Sequence, residues 1–300
     1  VARARRGDAV DGVLLLDKPS GITSNHALQK ARRLLNASKA GHTGTLDPLA
    51  SGLLPLTFGE ATKFSADLLD ADKAYEARLK FGVRTSTGDA EGEVVETRAV
   101  AVTRGEIEAV LARFAGSIEQ VPPMHSALKR NGRPLYELAR KGIEVERMPR
   151  KVTIHRLRLL ECNADAASIE VDCSKGTYVR VLAQDIGAAL GCGAHLAGLR
   201  RTRVGALTLD RAVTLAALEV MPPAVRREWL QPADTLLASL VRIDLNEVRA
   251  ARFAHGQAIE TGDSPASRVR VYGPAGLLGV ASVDGNGLLA PLRLVQMNGY

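Results

Sequence analysis

Strand-like and helix-like hydrophobic spacings are interleaved along this 300-residue chain without an internal repeat. That mixture predicts an α+β fold, a mixed and largely antiparallel central sheet flanked by helices, closed by a small β-rich unit. Three observations carry the expectation. Residues 75–81 alternate, with Tyr75, Ala77, Leu79 and Phe81 on one face, as a half-buried strand does. Residues 151–162 and 168–173 form two strand-like runs close enough to pair. From about Val241 short strand-like runs alternate with glycine-rich turns such as Gly273-Pro274 and Gly285-Asn286-Gly287.

The elements follow in order. Residues 12–16 are a nearly continuous apolar run, a buried strand, ended by the turn Asp17-Lys18-Pro19-Ser20-Gly21. Ser24 is placed to cap a helix carrying Ala27, Leu28, Ala31, Leu34 and Leu35 at helical spacing. Residues 41–52 hold three glycines and form a loop, followed by a strand over 53–58 and a helix over 60–69. Residues 88–92 turn into a short strand at 94–97. Thr103 caps a helix running to Phe114, and Glu106 three positions on completes a capping box. A short helix is expected near 135–141. Thr177 precedes another helix, with Val181, Leu182, Ile186 and Ala189 on its inner face and Gly191 as its stop. Three segments result: a flexible arm at 1–10, a main domain at 11–240 and the β-rich unit at 241–300.

At 46% hydrophobic and 24% charged residues, the composition excludes a disordered, collagen-like or coiled-coil chain. Aromatic residues are only 4%, so the core must be built from Leu, Val, Ile and Ala. No apolar run reaches membrane-spanning length, and the basic residues 1–8 lack an apolar stretch behind them, so the expected location is the cytoplasm. Cys162, Cys173 and Cys192 form no CxxC pair, which fits a reducing compartment; Cys192 and His195 lack a second pair of ligands for zinc.

Charge points to a partner. Between Lys129 and Arg158 there are ten Lys or Arg against three Glu, an excess of +7 that equals the net charge of the whole chain. Such a window suits a polyanion, although a solvated surface loop would look the same.

The familiar phosphate, dinucleotide, zinc-protease and serine-hydrolase motifs are absent, so the expected chemistry uses side chains alone, with no cofactor and no metal. Two segments look over-specified for plain loops. Residues 41–52 hold Asp47 and His42 on a backbone constrained by glycines and by Pro48, though Asp-Pro also simply starts turns. In Ser174-Lys175-Gly176-Thr177-Tyr178-Val179-Arg180, Arg180 falls in the first turn of a helix, against the macrodipole. Either it pairs with a buried carboxylate or it points to solvent at small cost.

Together these segments resemble the bacterial tRNA pseudouridine-55 synthases, the TruB family. Gly41-His42-Thr43-Gly44-Thr45-Leu46-Asp47-Pro48-Leu49-Ala50-Ser51-Gly52 is similar to that family's catalytic motif. Residues 17–21, 84–92, 173–180 and 191–202 resemble four further blocks in the same order. The resemblance implies the pseudouridine synthase fold with a PUA-like RNA-binding domain at 241–300, an RNA-gripping insertion at about 124–152, and the Asp47 loop in a central cleft.

It also implies a reaction and its residues. One uridine in the tRNA T loop, position 55, would become pseudouridine: the N1–C1′ bond breaks, the base rotates, and C5 bonds to C1′. Asp47 stands at the essential aspartate, attacking C1′ or acting as a base at the sugar. Arg180 would pair with it and favour its ionised form. Tyr75 would stack on the base and serve in removing the C5 proton, while Tyr178 and the backbone at Leu199 would line the uracil pocket. His42 would fill the space left by the flipped base, and Lys18 would support the site or contact a phosphate. The implied partner is tRNA, through its T stem-loop, with no obligatory protein partner and a monomeric chain. Two other readings remain: a guide-RNA-dependent synthase, whose relatives lack the insertion, and a tRNA-binding chaperone without catalysis. A glycoside hydrolase would need a second carboxylate, and nothing in the sequence brings Asp89 to Asp47.

Overall fold

The computed structural model describes residues 7–126, 128–130 and 132–296. Residues 1–6 of the expected arm lie outside the described residues. The chain is already held from Asp8, which bridges to Ala37, and Val10 is buried. Gly7 makes this possible: at φ +114° its backbone passes so close that a Cβ would lie 2.8 Å from the Asn36 carbonyl.

In chain order the elements are β1 (Gly12–Lys18), α1 (Ser24–Leu34), β2 (Ala40–His42), β3 (Ser51–Phe58), a 3-10 helix (Gly59–Leu68) and β4 (Lys73–Phe81). A hairpin follows, β5 (Val83–Thr85) and β6 (Val94–Thr97), then α2 (Arg104–Arg113) and β7 (Gly116–Gln120). The basic region holds β8 (Lys129–Arg130), β9 (Arg133–Pro134) and α3 (Leu135–Ala139). Then come β10 (Arg150–Cys162), β11 (Ala166–Cys173), α4 (Val179–Ala189) and β12 (Ala194–Val204).

The central sheet runs Val213–Thr214, β1, β3, β12, β4, β11, β10, β7. Only the contacts of β1 with Val213–Thr214 and of β3 with β12 are parallel along this path, so the sheet is mixed and largely antiparallel. Alternation divides the core. Leu14 and Leu16 of β1 join Leu54, Leu56, Leu79 and Ile169 under α1, α2 and α4, which contribute Ala27, Ile107 and Leu182. Val13 and Leu15 face the other side, against Phe64, Leu236 and Leu237.

The C-terminal region forms a separate five-stranded sheet in the order Val241–Asp244, Ala266–Gly273, Gly276–Val283, Leu288–Leu294, Ile259–Glu260. Its core holds Ile243, Phe253, Val269 and Val271, while Val280 turns toward the core beneath the main sheet. The helix Glu247–Ala254, not anticipated from sequence, is capped by the Asn246 side chain at 3.0 Å from the Arg249 amide.

Two local expectations change, and one strand escapes the sequence pattern. Thr23, not Ser24, caps α1, because the Ser24 hydroxyl is committed to Leu46. The helix after β3 winds as 3-10, with Thr62 donating to the Gly59 carbonyl and Lys63 paired to Glu60, contacts at the i,i+3 spacing that winding brings together. The strand β12 was not legible, since bulges at Leu196/Gly198 and Arg201/Arg203 break its period of two.

Candidate active site

The loop between β2 and β3 is fastened at several points. The Ser24 hydroxyl, buried at the start of α1, accepts from the Leu46 amide at 2.8 Å and donates to its carbonyl at 3.0 Å. The Ala50 amide donates to the Asp47 carbonyl at 3.1 Å, closing a turn with Pro48 in its second position. The Gly21 amide donates to Pro48 at 2.8 Å, so the turn after β1 docks on the same loop. Gly52 has φ +98°, and a Cβ there would lie 2.3 Å from the Arg201 carbonyl of β12.

Arg180 gathers three loops. One terminal nitrogen is 3.0 Å from Asp47 Oδ2 and donates to the His125 carbonyl at 2.7 Å. The other is 3.2 Å from Asp89 Oδ2 and 3.3 Å from the Thr87 carbonyl. The Arg180 side chain is 7% exposed and that of Asp89 4%, whereas Asp47 keeps 45% of its side chain open at the floor of a recess. Two carboxylates thus offset the cost of a cation in the first turn of α4. Sequence gave no reason to bring Asp89 here. Its other oxygen accepts from Thr87 Oγ1 at 2.5 Å and from the Glu91 amide at 3.1 Å, which ties it down as a brace.

Electrostatics refine the expectation for Asp47. Desolvation in the recess raises its carboxyl above the usual range; Arg180 and Lys18 oppose the rise and Asp89 adds to it. Arg180 therefore favours the ionised form as expected, but burial outweighs it.

Tyr75, Tyr178 and Leu199 converge beside Asp47. With Thr45 and Arg180 they line a cavity of about 190 Å³. Tyr75 projects from β4 between β11 and β12, and Leu199 sits opposite Ala77 on β12. Tyr178 is pinned at the start of α4 by the buried Gln120, which accepts from its amide at 3.0 Å and donates to its carbonyl at 3.3 Å. A wider cavity of about 660 Å³ adjoins on the other side of Asp47 and is lined by His42, Asp89, Glu91, His125, Tyr136 and Arg140. His42 therefore borders the outer cavity rather than the inner one. Burial and Arg201 lower its proton affinity, and its Nδ1 is buried without a hydrogen-bond partner.

Lys18 departs from expectation as a substrate contact. It is 0% exposed, and its ammonium donates to the carbonyls of Pro19 at 2.9 Å and Ile22 at 2.7 Å. Desolvation lowers its pKa to about 8, with Asp47 partly opposing. It holds the turn that docks on Pro48 and is closed off from a phosphate. Sequence reasoning also missed Arg201, which is 1% exposed and donates to the Leu53 carbonyl at 2.8 Å and the Gly44 carbonyl at 3.1 Å. The adjacent Arg200-Arg201 pair was visible, but not which of the two turns inward.

Among the described residues, no helix is long and apolar enough to cross a membrane. The described part of the basic region flanks the site: Arg140 stacks 5.5 Å from the Tyr136 ring centroid, and both border the outer cavity.

Residues 32–179 match the family model for the TruB family pseudouridylate synthase N-terminal domain. Residues 180–238 match the tRNA pseudouridylate synthase B C-terminal domain, and 242–295 the model described as pseudouridine synthase II TruB, C-terminal. The chain is 61% identical over 288 residues to tRNA pseudouridine synthase B of Dechloromonas aromatica, covering 96% of both chains. It is 62% identical over 292 residues to the protein of that name in Burkholderia lata, covering 95% of this chain and 90% of the other. Among solved structures, a chain of a Cbf5–Nop10–Gar1 complex superposes with TM-score 0.75 at 26% identity, covering 96% of this chain and 86% of that one.

Proposed function

The chain belongs to the TruB family of pseudouridylate synthases, and from that premise we propose that it isomerises uridine 55 in the T loop of tRNA, with Asp47 as the catalytic carboxylate. It is a tRNA pseudouridine synthase. The observation that carries the finer reading is the juxtaposition of a half-open Asp47 carboxylate, held 3.0 Å from a buried Arg180, with a small cavity lined by two tyrosines.

The cavity admits one planar base, which must leave the loop's stack to enter. Tyr75 and Tyr178 bound it, and Asp47 lies at its rim, where C1′ of an inserted nucleotide would sit. Asp47 attacks C1′ or takes a proton from the sugar; either role needs the ionised form that Arg180 sustains. Asp89 holds Arg180 in place, and the outer cavity with His42 accommodates the RNA around the flipped nucleotide.

The remaining assignments follow the same reading. Residues 11–240 are the catalytic domain, the insertion at about 124–152 grips the T stem-loop, and 241–300 act as the PUA-like RNA-binding domain. The enzyme works as a monomer in the cytoplasm, without a protein partner. The 61% identity to a tRNA pseudouridine synthase B, against 26% to a chain of the Cbf5–Nop10–Gar1 complex, favours an enzyme that works alone. The test is tritium release from an unmodified T-stem-loop RNA labelled at uridine C5, by the protein alone. Release supports the reading; binding without release refutes it and leaves a guide-dependent enzyme or a chaperone.

A further inference from the structure

Arg201 is buried to 1% exposure, and none of the ion pairs among the described residues includes it. Its neighbours on β12 differ: Arg200 holds Asp17 and Arg203 holds Asp172. An isolated buried guanidinium is costly, so what surrounds it matters. Its Nε and one terminal nitrogen are spent on the Leu53 and Gly44 carbonyls. Tyr75 is paired directly opposite Arg201 on β4 and feels the same guanidinium. The other groups that feel Arg201 are bases: Lys18 on β1, His42 on β2 and Lys73 on β4, each with its proton affinity lowered by it. Cys173 on β11 and Asp47 face Tyr75, but Asp47 already belongs to Arg180. Among the described residues, Tyr75 thus offers the one side-chain oxygen beside Arg201 on which negative charge could settle.

A guanidinium only donates. In a contact between the two paired side chains the Tyr75 oxygen can therefore only accept, which leaves its own hydrogen for the cavity that the ring lines. We propose that Arg201 is a positioning residue that holds Tyr75 with its oxygen on the guanidinium and its hydrogen toward the base, so that Tyr75 carries the proton the isomerisation moves. The inference rests on the function proposed above.

The balance is simple. Conversion of uridine to pseudouridine removes one hydrogen from C5 and adds one to N1. When N1–C1′ breaks, the bonding pair stays with the uracil, and the Tyr75 hydroxyl gives its proton to that anion. The phenolate so formed lies against Arg201. The C5=C6 pair then makes the C5–C1′ bond, the C5–H pair restores C5=C6, and the phenolate takes the C5 proton. Tyr75 ends the cycle as it began. Burial first, then Cys173 and Asp47, push the Tyr75 hydroxyl away from ionisation, and Arg201 is what opposes that.

The experiment is single-turnover conversion of T-stem-loop RNA, carrying hydrogen or deuterium at C5, by wild type, Arg201→Gln and Arg201→Lys, with melting temperature and RNA affinity measured beside each. Arg201→Gln is expected to slow conversion by about 10²–10³-fold, the loss typical of one donor that stabilises developing charge. Its rate should also become sensitive to deuterium at C5, with the wild-type rate expected to be the same for both isotopes. Arg201→Lys keeps a charge that titrates, so it should recover much of the rate and gain an alkaline loss of activity absent in wild type. A folded, RNA-binding Gln variant slowed equally for both isotopes overturns the proposal, as does a Lys variant whose pH profile matches wild type. Should the Gln variant not fold, the Lys profile decides. Inactive wild type instead refutes the proposed function, and this inference with it.

Discussion

Replacing Arg180 with Met removes a guanidinium that is 7% exposed and leaves Asp89, at 4%, with no counter-ion. Breaking a buried pair from one side costs about 3–5 kcal/mol. Asp89 keeps its bonds to Thr87 Oγ1 and the Glu91 amide, which places the loss near the lower end, about 3 kcal/mol. For a chain of this size unfolding as one unit that is a fall in melting temperature of roughly 5 °C. The sign at Asp47 follows separately. Its carboxyl is already raised by burial, and the Arg180 guanidinium is the main group lowering it. Without Arg180 the ionised fraction at neutral pH falls, and the acidic limb of the rate profile moves to higher pH. The assay is tritium release under single-turnover conditions across pH, with thermal unfolding beside it. Adding Asp89→Asn should restore most of the stability while activity stays lost, because the orphaned charge is gone but Asp47 is still unsupported. An unchanged acidic limb, or equal destabilisation with and without Asp89→Asn, would refute the reasoning.

Gly52→Ala should destabilise by about 2 kcal/mol or more, since the backbone is left-handed at φ +98° and the added methyl would meet the Arg201 carbonyl at 2.3 Å; urea unfolding measures it. Lys18 has a folded pKa of about 8, below its unfolded value of 10.5, so the unfolded chain binds more protons between them. Stability therefore gains a rising contribution from about pH 8 to 10.5, which Lys18→Met should remove in melting curves across that window. Binding of the T stem-loop should weaken linearly in log–log plots against salt, and Arg140→Gln should reduce the slope by about one if its side chain meets a phosphate.

Much of the fold was legible because local patterns and tertiary packing agree. Tyr75, Ala77, Leu79 and Phe81 alternate and are all buried, and the Thr103–Glu106 capping box forms as its spacing requires. The failures have physical causes. In β12 three arginines divide their tasks, two pairing with aspartates and one turning inward, and bulges break the alternation. The helix Glu247–Ala254 is two turns long, too short to show a periodic face beside Arg249 and Arg252. At the site, Arg180 stood out as a cation set against local preference, and the Asp47 loop through its glycines and Pro48. Asp89 did not, because its approach depends on the hairpin β5–β6 docking through Ala90 and Leu196. The lysine in Asp17-Lys18-Pro19 left two roles open, support of the site or contact with a phosphate, since sequence does not show that two carbonyls close around it.

The central claim is that Asp47 performs the chemistry rather than shaping the site. Asp47→Asn keeps the size of the side chain and removes its charge. Wild type and this variant should be compared for tritium release from C5-labelled T-stem-loop RNA and for RNA affinity in the same buffer. The account predicts release by wild type alone, with affinity and melting temperature nearly unchanged in the variant, whose side chain is 45% exposed. Release by the variant at a rate near wild type would contradict it.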